Sequence, residues 1–251
     1  MERASTRWGA ARLLAGEGAR VVVCGRRQGP IEAVARGIVE GGGACVARVV
    51  DLEDRAAPAA LARWTLETHG AVDILINNAG HSSRARSVRW VELDEWESVV
   101  AVNLTSVYLL TQAVLPSMIE RRRGTIVMVS SVAGIRPGLI GGAPYGAAKA
   151  GVNNLMGHVH ATLRDRGIRA TTIMPAEVDT PILANRPLPP DAAARVTMMQ
   201  AEDVARAILF CVTLPPRTVV EEIVMSPTIP RDQTADLAAS RLAGAPPGTA
   251  W

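Results

Sequence analysis

Tyr145 and Lys149 stand four residues apart in the stretch "YGAAK", and Lys149 is the only lysine in a chain whose other basic residues are all arginine. On a helix this spacing puts two side chains on one face, about 6 Å apart. An ammonium beside a phenol stabilises the phenolate and lowers a pKa that otherwise lies near ~10. A tyrosine so placed can donate and accept protons near neutral pH. Lysine suits this better than arginine, because it is a compact charge with three rotatable donors, some of them free to hold a sugar hydroxyl. Ser131, at the end of a neighbouring apolar run, could hydrogen-bond a substrate oxygen and turn it toward the phenol. The bland alternative is a surface pair on a helix, since Y-x-x-x-K alone is a weak motif. Its position decides for chemistry: it opens a helix just after a strand that ends in serine.

The elements that must position these residues alternate along the chain. Apolar, β-branched runs predict strands at 20–25 ("RVVVCG"), 44–52, 72–80, 124–131, 169–175 and 219–227. Between them, helical patterns cover a stretch containing Ile31, Val34, Ile38 and Val39, then 55–69, 92–122, 145–166 and 201–214. "GGG" at 41–43 and Gly70 supply two of the stops. Strands buried on both faces and separated by helices imply an α/β fold, doubly wound and mainly parallel, with helices on both sides. No repeat or linker interrupts residues 1–251, so one domain is expected. Residues 176–200, rich in Pro and Ala, read as a flexible lid, and 242–251 as a loose tail.

Composition narrows the functional classes. Apolar residues make up 48% and aromatics 3%, which excludes disorder and leaves Val, Leu, Ile and Ala to build the core. A net charge of +3 is too mild to argue for nucleic acid. The densest basic run, Arg121-Arg122-Arg123, reads as a helix end with Gly124 as its cap. Cys24, Cys45 and Cys211 have no metal-ligand spacing and suit a reducing compartment. With no apolar stretch of membrane-span length and no leader pattern, a soluble cytoplasmic protein is expected.

In such sheets ligands bind beyond the carboxyl ends of the strands. The residues there are Gly25-Arg26-Arg27, Asp51-Leu52, Asn77-Asn78-Ala79-Gly80, Ser130-Ser131 and Pro175. "NNAG" at 77–80, "SSVAG" at 130–134 and "YGAAK" at 145–149, with Asn103 in "VAVNLTSVYLL", resemble the short-chain dehydrogenase/reductase family in kind and order. The resemblance runs from about residue 10 to about residue 226 and implies a Rossmann-like fold. It implies that Tyr145 is the general acid/base, that Lys149 lowers its pKa and binds a nicotinamide ribose, and that Ser131 positions the substrate. Asn103 would hold a water that relays protons to Lys149. Thr180 and Val178 would contact the carboxamide, Asp51 and Leu52 the adenine, and Asn78, Ala79, Gly80 and Pro175 would line the cofactor. The plainer alternatives are turn residues for Asn77 and Asn78, a polar helix residue for Asn103 and a strand end for Ser130-Ser131.

An acidic residue at the end of the family's second strand bonds a ribose 2′-hydroxyl, whereas arginine accommodates a 2′-phosphate. Here Gly25 is followed by Arg26 and Arg27, so NADP(H) is expected over NAD(H). The alternative is a solvated arginine turn. The implied activity interconverts a secondary alcohol and a ketone. The segments from Glu177 and from Leu214 resemble the branch that includes 3-hydroxy acid dehydrogenases, and the lid's Leu, Ile, Pro and Met suggest a partly apolar ligand. Homo-oligomers, tetramer or dimer, are expected through the helices at 92–122 and 145–166.

The pattern breaks at the start. The family opens with a strand and the turn T-G-x-x-x-G-x-G, whose glycines admit a pyrophosphate. Here "RASTRWG" offers Arg3, Arg7 and Gly9, and no apolar strand precedes it. The expectation is a sequence truncated or frame-shifted at its start, missing the central strand. The rival is a genuine chain acting as a non-catalytic binding or assembly subunit. A nucleotide-sugar epimerase shares Y-x-x-x-K but is expected to carry a larger C-terminal domain. Two lesser departures are Ala176 in place of glycine and a Ser131-to-Tyr145 interval one residue longer than expected.

Overall fold

The computed structural model describes residues 6–251. Arg3 of the expected phosphate turn lies outside them. The described residues begin with α1 (Thr6–Gly16), β1 (Arg20–Gly25), α2 (Gln28–Glu40), β2 (Ala44–Val49), α3 (Ala57–His69) and β3 (Ile74–Asn77). Then follow α4 (Leu93–Val100), a π-helical turn (Ala101–Thr105), α5 (Ser106–Glu120), β4 (Gly124–Val129), α6 (Ala143–Leu163) and β5 (Ile168–Pro175). The last third holds β6 (Val178–Asp179), α7 (Ala192–Arg195), β7 (Met199–Gln200), α8 (Ala201–Thr213), β8 (Glu222–Met225) and α9 (Thr234–Leu242). Pro58 opens α3 and Gly70 closes it, while Gln200 and Asp203 form a capping box on α8.

This is a Rossmann-like α/β architecture with parallel strands. β3, β4, β5 and β8 pair in that order, all parallel. Period-two alternation sends neighbouring residues of β4 to opposite faces. Ile126 and Met128 meet Met118, Val152 and Met156 of α5 and α6. Val127 and Val129 meet Ala10 of α1 and Val204, Ala205 and Ile208 of α8.

β1 and β2 form a separate parallel pair, and no ladder joins β1 to β3 among the described residues. The expected first strand belongs between them. α1 ties the two sheets together: its Ala10 packs with β4 and β5, and its Ala11 and Ala15 pack with Val23, Ile31, Val34 and Ile38. The split shows in exposure. β4 is buried along its length and β5 nearly so, while β1 and β3 are mostly half-buried and β2 is an exposed edge. Burial on both faces therefore holds for β4 and β5 alone.

Four expectations are corrected. The left-handed residue after α5 is Arg122 (φ 50°), so Gly124 is no cap but the first residue of β4, and Arg121 pairs with Asp73 at 2.7 Å. The continuous helix Leu93–Glu120 is long and apolar enough, by length and composition, to cross a membrane. Here it is a core helix, with Val99, Val107, Val114 and Met118 buried. The segment 176–200 is not uniformly irregular but holds β6, a 3-10 turn (Pro181–Asn185), α7 and β7. The tail lies against the body: a Cβ on Gly244 would stand 2.9 Å from Ala85 Cβ and 3.2 Å from Trp90 O, and the Arg89 guanidinium is 5.6 Å from the Trp251 ring centroid.

Candidate active site

Ser130 and Ser131 follow the last residue of β4. Ser131 caps a short 3-10 turn, its Oγ accepting from the Ala133 amide at 3.2 Å and donating to Pro175 O at 3.4 Å. Ser131 lines the same cavity as Tyr145. Tyr145 sits in the first turn of α6, which Gly142 launches from a backbone angle of φ 83° that L side chains rarely adopt. One turn on, Lys149 points inward, 2% exposed, with Nζ donating to Val129 O at 3.0 Å and lying 5.5 Å from the Tyr145 ring centroid. The two strand-end serines and the helix pair thus meet as the spacing suggested.

The protonation balance differs from the sequence expectation. Burial raises the Tyr145 phenol above its ordinary value, and the opposing pull comes from the Ser131 hydrogen bond and the charges of Arg86 and Arg186. Lys149 itself is pushed down to about 7 by burial.

Asn103 is fully buried in the π turn, and such turns recur at functional sites. Its Nδ2 donates to His81 O at 2.8 Å and Val99 O at 2.9 Å, while Oδ1 has no partner. Gly80 passes directly over it: a Cβ there would stand 2.6 Å from Asn103 Oδ1 and 3.6 Å from Lys149 Nζ. Only glycine lets the backbone cross this point.

One cavity of about 1040 Å³ collects the other sequence-named residues. Arg26, Arg27, Asp51 and Leu52 line one end, Asn78, Ala79 and Gly80 the middle, and Ser131, Tyr145, Lys149, Pro175, Val178 and Thr180 the other. Arg26 reaches Glu53 at 3.2 Å, and Arg27 is exposed at the start of α2. An elongated dinucleotide would run along this path from one end to the other, past Gly80, which makes room for Asn103 Oδ1 beneath it. The pyrophosphate stretch fits less well. Trp8 lines the cavity there, and Gly9 serves instead to bring α1 against Ala205, where a Cβ would meet the Ala205 Cβ at 3.1 Å.

Five charged residues of this region escaped sequence reading. Arg86 and Arg186 line the cavity beside Tyr145, and Glu177, Arg231 and Asp236 form an ion network that also holds Arg186. Glu177 accepts from Arg186 at 2.6 Å and Arg231 at 2.8 Å, which keeps its carboxyl below the usual range despite burial. They are scattered between positions 86 and 236, so no local spacing announces them. Among the described residues no group of three or more His, Cys, Asp or Glu could hold a metal ion.

The short chain dehydrogenase family model matches residues 9–189. The chain belongs to the short-chain dehydrogenase family. An uncharacterised oxidoreductase of Staphylococcus aureus is 30% identical over 217 residues, covering 86% of this short-chain dehydrogenase and 90% of the relative. A solved metagenomic short-chain oxidoreductase in complex with NADP is 32% identical with a TM-score of 0.77, covering 90% of this chain and 94% of that one. Serine dehydrogenase from Escherichia coli is 26% identical with a TM-score of 0.74, over 88% and 93% of the two chains.

Proposed function

We propose that this short-chain dehydrogenase interconverts a secondary alcohol and a ketone with NADP(H). The carrying observation is that Tyr145, Ser131 and Lys149 line one cavity, with Lys149 Nζ 5.5 Å from the Tyr145 ring centroid. When bound, the nicotinamide supplies or takes up the hydride. Burial keeps the phenol protonated, so Tyr145 donates to the carbonyl oxygen in reduction and accepts the proton back in oxidation. Ser131 Oγ orients that oxygen. Lys149, with a pKa of about 7, exchanges its proton readily at neutral pH, and Asn103 Oδ1 beside it is free to accept a relay hydrogen bond. Arg26 and Arg27 at the cavity's far end favour a 2′-phosphate, in keeping with the NADP-bound relative.

The second reading, a binding subunit without catalysis, is favoured by Trp8 in place of a glycine turn. A homo-oligomer through α5 and α6 remains part of both readings, with Tyr108 and Trp96 exposed on the long helix. The deciding experiment is an NADPH and NADH fluorescence titration, followed by a ketone panel on wild type and Tyr145→Phe. Selective NADPH binding with turnover that falls ~10²–10⁴-fold in the variant is expected. A folded protein that binds neither nucleotide supports the second reading instead.

A further inference from the structure

Three separate segments meet at Arg231. Its Nε and Nη2 donate to the two carboxylate oxygens of Glu177 at 2.9 and 2.8 Å, and its Nη2 and Nη1 to those of Asp236 at 2.7 and 2.8 Å. Nη1 also donates to Asp232 O at 3.1 Å. Each carboxylate is gripped by two bonds, the geometry that suits a planar guanidinium best. Glu177 follows β5, and Asp236 lies in the first turn of α9. The Glu177 oxygen that accepts from Arg231 Nη2 also accepts from Arg186 Nη1 at 2.6 Å. Arg186 follows the lid's 3-10 turn and stands 3.6 Å from Asp236. The lid, the end of β5 and the C-terminal segment are therefore joined by two guanidiniums and two carboxylates, with side chains only 10–13% exposed.

Charge stands here where apolar packing would be expected. The buried residues of α9 are Asp236 and Ser240, one turn apart, while Leu237 and Leu242 are left 36% and 40% exposed. A surface helix ordinarily docks by an apolar stripe. Buried ion pairs add little net stability over apolar contacts, and their best-attested use is to specify or switch an arrangement. Parting such a contact returns the charges to water, whereas parting an apolar one exposes hydrocarbon. The lid has little structure of its own, since β6 and β7 are two residues each and α7 is four. Two further hydrogen bonds tie the same segments to loop 82–90, from Trp90 Nε1 to Arg241 O at 3.0 Å and from Arg86 Nη2 to Asn185 O at 3.2 Å. Both segments wall the cavity, the lid through Ile182, Leu183 and Asn185 and the C-terminal segment through Gln233 and Leu237.

We propose that Arg231 pins a detachable wall of the cavity, so that the lid and the segment from Arg231 to Leu242 leave the body together when the Glu177 contacts part. Arg231 acts through Glu177 and Arg186 and is a positioning residue. Joint release follows from the shared oxygen. Without Arg231, Asp236 keeps only Arg186 at 3.6 Å, and Glu177 holds the lid but no longer the C-terminal segment. The charge left over on Asp236 then draws Arg186 away from Glu177, and both segments loosen at once.

Hydrogen exchange of the full chain, read by mass spectrometry, tests this without turnover, so its outcome is separate from that of the oxidoreductase reading. In wild type, peptides from 181–198 and 231–242 should show the same protection within about threefold, and at least about tenfold less than β4, because they open without global unfolding. Arg231→Met should lower the protection of both segments by roughly tenfold or more, the scale of a broken buried pair, and leave the exposed edge strand β2 unchanged. Arg231→Lys should fall in between, since it keeps the charge and loses the fork. Lid and C-terminal peptides as well protected as β4 in wild type would make the network a plain structural brace and overturn the proposal. So would protections of the two segments that differ by more than about tenfold, or an Arg231→Met lid that exchanges as wild type does. If Arg231→Met does not fold, the wild-type comparison decides together with Asp236→Asn, which should also loosen both segments.

Discussion

Replacing Lys149 by methionine should remove a pH dependence of stability that the wild-type chain carries. The ammonium is 2% exposed and donates to Val129 O, and burial pushes its pKa from 10.5 to about 7. Between those values the unfolded chain keeps a proton that the folded chain releases, so stability rises with pH across that window. Below about pH 7 both states are protonated and the whole cost of burying the charge is present, ~5 kcal/mol at 1.36 kcal/mol per pKa unit. Raising the pH from about 6 to about 9 should relieve roughly half of it. Against a typical domain stability of about 5–15 kcal/mol this is large enough to measure. Methionine has a similar reach and no charge, so urea denaturation of both proteins across that pH range isolates the contribution of Lys149. The wild-type stability minus that of Lys149→Met should climb with pH. A flat or falling difference would refute the reasoning that burial dominates this site.

Gly80→Ala forces a Cβ to 2.6 Å from Asn103 Oδ1, so overpacking should destabilise the fold by about 1–3 kcal/mol and weaken NADPH binding at least tenfold. Thermal melts with nucleotide titrations check both, and an unchanged affinity would mean that the backbone has room to retreat. Met118→Ala, at a fully buried position on α5, should cost ~2–5 kcal/mol in urea denaturation while leaving KM unaltered. A loss below about 1 kcal/mol would show that this part of the core collapses to fill the gap.

The elements were legible because their signals are local. Apolar runs bounded by glycine mark β1, β4 and β5, and Gly70 ends α3 where the periodicity stops. The serine, tyrosine and lysine of the site were legible for the same reason, since a strand end and one helical turn bring them together. What the chain could not announce is set by groups far apart in sequence. Tyr145 has a lysine four residues on, yet burial raises its pKa against the pull of two distant arginines. The π turn that turns Asn103 inward reads in the sequence as ordinary helix. Five charged residues at 86, 177, 186, 231 and 236 are unremarkable surface types by composition. Only folding brings them into one region, because an electrostatic environment belongs to a volume rather than to a stretch of chain. The sequence by itself therefore determined the main alternation of strands and helices and the candidate reacting groups. The tertiary structure alone decided the split between β1 and β3 and the burial of Arg86, since pairing and desolvation depend on what lies alongside in space.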